Sequence, residues 1–370
     1  MHRKKLIIFN PSIENGGVEK NLFLISNYLA TNVENVYLIT TSKKFRNKFN
    51  SKINLIIPKY FVWDKLGRKI KYLICLILLT KFILTNKRIV LFCFQANFYC
   101  SLICLFFPKI ILITRSNTSP SGWSKNFLKR LIFKFLFRRI NKVIVNSIDF
   151  RNQINNEFNI KSSFIYNPLN KTEIINKSKI KTKNYFKKNV KLKIICVGRF
   201  VDQKDQITLL KALNLIKSNV EFETLLLGEG KMLDKYKLFI KENSLRKKVK
   251  LIKFQKNPYP IIKQSNIVVL SSKYEGLPNI LLEGLLLKKY IISSNCPTGP
   301  KEILDNGSGG DLFKVGNYDE LAIKFQNFEK KNIKIINKKI EHGYKRLNRF
   351  DYKSNMEAYL KIVNNELKKL

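Results

Sequence analysis

Residues 267–304 read IVVLSSKYEGLPNILLEGLLLKKYIISSNCPTGPKEIL, and this stretch decides the fold. The run at 267–272 is short, apolar and rich in β-branched residues, as a strand buried on both faces requires. Gly276 and Pro278 break it, apolar residues then recur at helical spacing over 279–288, and a second buried strand follows at 290–295. Strand, helix and strand in so short a span form a βαβ unit, because parallel neighbours need a crossover between them.

The same alternation runs outward in both directions. It predicts strands near 5–9, 35–40, 53–57, 89–94, 109–114, 142–146 and 163–166, then near 192–197, 222–227 and 249–254. Helices are expected near 17–30, 64–84, 97–107, 124–140 and 148–157, then near 205–217, 231–243 and 318–329, with a last one near 352–368. The class is therefore α/β with doubly wound parallel sheets, and a chain of 370 residues is long enough for two domains. A stretch rich in Lys, Asn, Ser and Thr separates the halves. The expected organisation is a first domain over 1–170, a linker over 171–190, a second domain over 191–345 and a C-terminal helix in 346–370. Two such domains are expected to face a cleft, where the carboxyl ends of the strands gather a ligand.

Composition narrows the function. Seventy Lys and Arg against 26 Asp and Glu give a net charge of +44, which points to an anionic partner: nucleic acid, a membrane surface or a phosphorylated substrate. Six cysteines without a C-x-x-C pair argue against a zinc ribbon or a disulfide framework and fit a reducing compartment. Two histidines, His2 and His342, leave little material for His-based metal sites or triads. The charge is uneven. From Lys65 to Ile148 there are 16 Lys and Arg and no acid. Within it, residues 124–140 form a basic helix. Its Lys129, Arg130, Lys134, Arg138 and Arg139 are candidates to meet an anionic membrane, while its apolar stripe serves either that membrane or the domain core. Ile89 to Pro108 is uncharged for the length of a bilayer span, yet Gln95, Asn97 and Ser101 interrupt it, and it parses equally as strand, turn and helix. The apolar run Leu6 to Phe9 is too short for a secretory signal. The expected location is cytoplasmic, peripheral to the inner face of the membrane.

Several loops at strand ends can carry chemistry. Gly16-Gly17-Val18-Glu19 follows the first strand and opens a helix, where exposed N–H groups and the helix dipole favour a phosphate. Gly198-Arg199 and then Lys204 follow the strand LKIICV, where two cations can clamp a diphosphate as its charge grows. LLLGEG (225–230) ends another strand in a glycine turn at Gly228. Glu275, with Gly276, Leu277 and Pro278, lies in the loop of the opening stretch, and Glu283 lies in its helix. Paired carboxylates so spaced can grip sugar hydroxyls at two points. The loop CPTGPKE follows the next strand.

In order and spacing, GRFVDQKDQITLLKAL, LLLGEG, SSKYEGLPNILLEG and CPTGPKEIL resemble the family 4 glycosyltransferases. Glu275 and Glu283 match that family's E-x7-E motif, GGVE matches its first glycine loop, and RFDYKSNMEAYLKIV resembles its final helix. The resemblance implies the GT-B fold of two Rossmann-like domains, with the last helix crossing back to the first. It also implies retaining transfer of a sugar from a nucleotide diphosphate sugar, a UDP-linked hexose or N-acetylhexosamine, to a lipid-linked or polysaccharide acceptor of a bacterial surface glycan. By analogy, Arg199, Lys204 and Glu275 are the catalytic group. Gly16, Gly17, Gly198, Gly228, Gly276, Leu277, Pro278 and Glu283 bind the donor, with Glu283 on the ribose hydroxyls. No cofactor or metal is expected, since the chain lacks a D-x-D sequence.

The sequence departs from the family in places. Where many members carry a His near the donor sugar, this chain reads FCFQANFYC, so Gln95 or Asn97 becomes the sugar-contact candidate. Arg115 and Asn117 resemble an Arg-Asn pair of one branch, as acceptor or sugar contacts. Lys288 replaces a common Gly, at a strain cost if its backbone is left-handed. Two other readings stand beside the transferase: a nucleotide-sugar epimerase of the same fold, which the shortage of His disfavours, and a basic nucleic-acid-binding protein, for which no recognition motif appears.

Overall fold

Apolar runs of three to six residues become parallel strands here because helices cover both faces of each sheet. The protein, seen in a computed structural model, is described over residues 3–14, 16–59, 63, 66–117 and 127–370, with 127–129 by backbone alone. It divides into two units, one of Met1–Pro168 with Tyr352–Leu370 and one of Leu169–Asp351.

The first unit runs β1 (Lys5–Phe9), α1 (Gly17–Asn32), β2 (Val36–Ile39), β3 (Asn54–Ile56), α2 (Arg68–Thr85), β4 (Ile89–Cys93), α3 (Asn97–Phe106), β5 (Ile111–Ser116), α4 (Phe127–Phe137), β6 (Lys142–Val145), α5 (Ile148–Phe158) and β7 (Ser162–Phe164). Its sheet order is β3-β2-β1-β4-β5-β6-β7, all parallel in the pairs formed. Alternating side chains divide its core into two. Leu6, Ile8, Val90, Phe92 and Ile113 pack with α1, while Ile7, Phe9, Leu91, Cys93 and Leu112 pack with α2 and α3. Val143 and Val145 extend the second layer to α4 and α5.

The second unit runs α6 (Lys171–Ser178), β8 (Leu192–Val197), α7 (Gln206–Ile216), β9 (Phe222–Leu227), α8 (Leu233–Glu242), β10 (Val249–Ile252), α9 (Tyr259–Gln264), β11 (Ile267–Leu270), α10 (Asn279–Leu286), β12 (Tyr290–Ser294), α11 (Pro300–Ile303), β13 (Asp311–Phe313), α12 (Tyr318–Lys330) and α13 (Ile333–Lys345). Its parallel sheet has the order β10-β9-β8-β11-β12-β13. Strand order reverses between β1 and β4 and again between β8 and β11, the switch points of two Rossmann-like sheets.

The last helix, α14 (Tyr352–Lys368), belongs to the first unit, where Met356, Tyr359 and Val363 are buried against the β1–β4–β5 face. One polar contact fixes its register. Arg115, wholly buried, donates from Nε to the Tyr359 hydroxyl at 2.9 Å and from Nη2 to Asn167 Oδ1 at 2.7 Å.

The expected linker differs most. Residues 171–178 form α6, capped by the Asn170 side chain, which accepts from the Glu173 N–H. The rest is tied to the second unit: Gln264 accepts from Tyr185 N–H, and Glu223 accepts from Lys187 N–H. At its far end Leu169 N–H donates to Phe350 carbonyl at 2.9 Å, so 346–351 also stay with this unit and only 352–370 return to the first. The uncharged stretch 89–108 folds as β4, a left-handed Ala96 and α3. Among the described residues no helix is long and apolar enough to cross a membrane.

Candidate active site

The second unit's switch point is built from two loops laced by hydrogen bonds. After β8 the chain passes Gly198 and an exposed Arg199 and makes a 3₁₀ turn at Asp202–Lys204. After β11 it passes Ser271, Ser272 and Lys273 to Glu275. Lys273 N–H donates to the Gln203 carbonyl at 2.9 Å, Gln203 Nε2 donates to the Tyr274 carbonyl at 2.9 Å, and Ser271 Oγ donates to the Lys204 carbonyl at 3.0 Å.

This lacing sets Lys204 Nζ 2.5 Å from Glu275 Oε1, with the two side chains 19% and 9% exposed. Ser272 Oγ donates to the same oxygen at 2.6 Å. The Glu275 carboxylate is thus fixed from two sides before any ligand arrives. Its backbone carbonyl accepts from Thr298 Oγ1 at 2.6 Å, which joins the CPTG loop to the Glu275 loop. Gly299 completes the join. Its φ is +93°, and a Cβ there would stand 2.3 Å from the Gly276 carbonyl oxygen. Gly228 answers a similar need across β8 and β9, since a Cβ on it would meet the Gly198 carbonyl oxygen at 1.9 Å.

Glu283 is buried on α10, and Tyr259 of α9 donates its hydroxyl to Glu283 Oε1 at 3.2 Å. Leu277 is buried, and Pro278 caps the start of α10. Burial pushes the nearby Cys296 thiol up to about 12, and the Glu275 charge adds to it, so it stays protonated at neutral pH. Two ammonium or guanidinium groups, one fixed carboxylate and one hydrogen-bonded carboxylate therefore stand at or beside the carboxyl ends of β8 and β11. Cations there can take an anion, and carboxylates can accept from hydroxyls.

Residues 177–346 match the family described as glycosyl transferases, group 1. That stretch is a group 1 glycosyltransferase domain. An uncharacterized glycosyltransferase of Methanocaldococcus jannaschii is 30% identical over 206 residues, 53% of this chain and 50% of that protein, so the match spans only half the length of this relative. The Campylobacter jejuni N-acetylgalactosamine-N,N'-diacetylbacillosaminyl-diphospho-undecaprenol 4-alpha-N-acetylgalactosaminyltransferase is 26% identical over 340 residues, 86% of this chain and 88% of that enzyme. Among solved structures, Anabaena HepE in complex with UDP superposes with a TM-score of 0.75 at 15% identity, covering 99% of this chain and 100% of that one. Sucrose-phosphate synthase of Thermosynechococcus elongatus gives 0.78 at 13% identity, with both chains covered in full. The fold of the chain is GT-B.

Sequence reasoning missed the partners that hold its site. Ser272 and Thr298 had a legible signal, being small hydroxyl residues at two strand ends, whereas nothing in the sequence ties Tyr259 to Glu283.

The other candidates belong to the first unit. Gly16 and Gly17 open α1, with Gly16 as its cap. Gln95 is buried and accepts from Ser12 N–H at 3.3 Å, so its oxygen supports the β1–α1 loop. Asn97 donates to the Arg115 carbonyl at 3.2 Å, and Asn117 donates to the Phe94 carbonyl at 3.4 Å. The Arg115 guanidinium is enclosed, as described for α14. Of the basic-helix candidates, Lys134 and Arg138 are exposed, and Arg130 pairs with Glu157 at 3.0 Å. Arg139 donates to the carbonyls of Cys104, Phe107, Pro108 and Ile110, closing the C-terminal end of α3. The Lys129 side chain lies outside the described residues.

Proposed function

We propose that the protein transfers a sugar from a nucleotide diphosphate sugar, a UDP-linked hexose or N-acetylhexosamine, to a lipid-linked or polysaccharide acceptor in bacterial surface-glycan assembly. The observation that carries this is the fixed Lys204–Glu275 pair at the switch point of a group 1 glycosyltransferase domain. Relatives support the acceptor class by name: the Campylobacter enzyme above acts on a diphospho-undecaprenol, and a Staphylococcus aureus relative, 28% identical over 236 residues, is a capsular polysaccharide biosynthesis glycosyltransferase. Both of these relatives are glycosyltransferases by name, which favours transfer over epimerisation.

In this reading Arg199 and Lys204 neutralise the departing diphosphate, an electrostatic contribution that is commonly the largest catalytic term. Glu275 holds Lys204 in place, and with the N–H groups around Gly276 and Leu277 it positions the donor sugar. Glu283, held by Tyr259, accepts from the ribose hydroxyls. The acceptor oxygen bonds to the anomeric carbon on the face the phosphate leaves, the carbon–phosphate-oxygen bond breaks, and the departing phosphate oxygen takes the acceptor proton. Configuration is retained, and neither a protein nucleophile nor a metal is assigned a step. The enzyme works at the cytoplasmic face of the membrane.

Thermal shift with a panel of nucleotide sugars identifies the donor, since a ligand that binds the folded state alone raises Tm by mass action. With that donor, Glu283→Ala should weaken nucleotide binding by about tenfold to a hundredfold, the loss of charge-assisted hydrogen bonds. Donor binding equal to wild type removes Glu283 from the site. NMR of the product reads the anomeric configuration, and an inverted product refutes the mechanism.

A further inference from the structure

The layer formed by α2, α3 and α4 covers one face of the first sheet and leaves its own outer face apolar. On α2, Ile70, Leu73, Ile77 and Leu84 follow helical spacing along one stripe, and Leu73 and Leu84 are 60% and 70% exposed. The buried side of the same helix is a different set, Cys75, Leu79 and Ile83. On α3 the exposed set is Leu102 and Leu105 with Phe106, the last 77% exposed. On α4 it is Leu131, Ile132 and Phe135, whereas Leu136 and Phe137 fill the core. One apolar helix face is already spent on the sheet, and each helix carries a second that nothing described covers.

The three faces form one surface. Tyr72 of α2 meets Tyr99 of α3 edge to face with ring centres 6.3 Å apart, and Phe98 of α3 meets Phe133 of α4 in the same way at 5.3 Å. Arg139 ties the end of α4 to the end of α3. Around this surface Lys69, Lys81, Lys109, Lys134 and Arg138 are exposed, and no acid occurs from Lys65 to Ile148.

We infer that the outer face of α2, α3 and α4 docks on an anionic lipid bilayer, with Leu73, Leu84, Phe106 and Phe135 entering the acyl boundary and the surrounding cations meeting the headgroups. Charge selects this occupant. A second copy of the same face would bring cation against cation, whereas anionic headgroups neutralise them and the acyl region takes the apolar side chains. The surface also differs in kind from a purely basic patch. Its apolar part persists when salt screens the charges, and its cations set the preference for anionic lipid.

The inference deepens the proposed function by naming the membrane surface. Its test uses neither donor nor turnover, so its failure and the failure of the transferase reading are separate results. Full-length protein is sedimented with phosphatidylcholine vesicles that contain either no anionic lipid or about 30% phosphatidylglycerol, at low salt and at about 0.5 M NaCl. The wild type should pellet with the anionic vesicles and retain part of that binding at high salt. The indole introduced by Phe106→Trp should be quenched by lipids brominated in their acyl chains. Leu73→Ser, Leu84→Ser and Phe106→Ser together should weaken binding by about tenfold or more, with an unchanged circular dichroism spectrum. Absence of pelleting, absence of quenching, or undiminished binding by the folded triple variant overturns the inference. Equal pelleting on neutral and anionic vesicles overturns the role of the cations. A wild-type dimer that the triple substitution dissociates, without vesicle binding, assigns the face to self-association instead.

Discussion

The Lys204–Glu275 pair permits a quantitative test of how the site is held. Both groups are mostly withdrawn from solvent and 2.5 Å apart, so removing one leaves the other's charge partly buried without compensation. For enclosed pairs that costs about 3–5 kcal/mol, whereas removing both charges is often close to neutral. The geometry refines the figure. Lys204 and Ser272 both donate to Glu275 Oε1, so the amide oxygen of Glu275→Gln can keep both hydrogen bonds and loses only their charge-assisted part, about 1–2 kcal/mol. Lys204→Met leaves the carboxylate with the Ser272 hydroxyl alone and should cost about 3 kcal/mol. The double variant should cost no more than Lys204→Met alone, a coupling energy of about 1–2 kcal/mol. Urea denaturation of wild type, both single variants and the double variant measures it, on the transition that Lys204→Met moves. Additivity within about 0.5 kcal/mol refutes the claim that the pair is an energetically coupled unit.

Two further perturbations bear on the same unit. Lys288 has a φ of +53°, which L-residues adopt at a cost, and its pairing with Glu341 is exposed. Lys288→Gly should therefore raise Tm by about 2–4 °C in calorimetry, and a fall would show that the Glu341 pair and the contact of the Lys288 ammonium with the Tyr344 ring, 5.1 Å from its centre, outweigh the strain. Asp311 is buried, which alone pushes its carboxyl up, but Lys331 and Lys339, each 2.6 Å away, hold it below its ordinary 3.8. A carboxylate whose folded pKa is lowered contributes stability that is complete above the unfolded value and lost as pH falls through the folded one. Asp311→Asn should thus lose about 3 kcal/mol at pH 7, and urea midpoints of the two proteins should converge as pH falls below about 4. A gap that stays constant into acid would remove the ion triad as its cause.

What the sequence made legible follows from burial. Strands covered on both faces are continuous apolar runs, and every strand expected from such a run is present in the two sheets. The Glu275 loop was legible because a Gly and a Pro interrupt the pattern at a strand end. Other features left little trace. Helix α6 buries only Ile174 and Ser178, too little for an apolar period, and its one signal is the cap Asn170 with Glu173 three residues on. Helix α13 hides its apolar positions among four Lys, and β13 is only three residues long. Arg138 and Arg139 are adjacent and chemically identical, yet one is exposed and the other closes α3 through four carbonyls. Only the tertiary fold separates them.

That contrast bears on the charge itself, because the two parts of the chain carry the same net excess, +22 on either side of residue 170, with different means of neutralising it. The later part has 20 acids, and several of them pair with cations: Glu275 with Lys204, Asp311 with Lys331 and Lys339, Asp202 with Lys273, Glu341 with Lys288. The earlier part has 6, and none lies between Lys65 and Ile148. A cation there must look elsewhere. Arg130 reaches Glu157 on the next helix, Arg139 turns to carbonyls, and Arg115 is enclosed with a phenol and an amide. Lys134 and Arg138, like Lys69 and Lys81, face solvent beside exposed Leu and Phe. Shortage of acid therefore does what abundance of base alone does not. It leaves the cations of one helical layer with no carboxylate on that layer, whereas in the second unit Lys204, Lys273, Lys288, Lys331 and Lys339 are each paired with one.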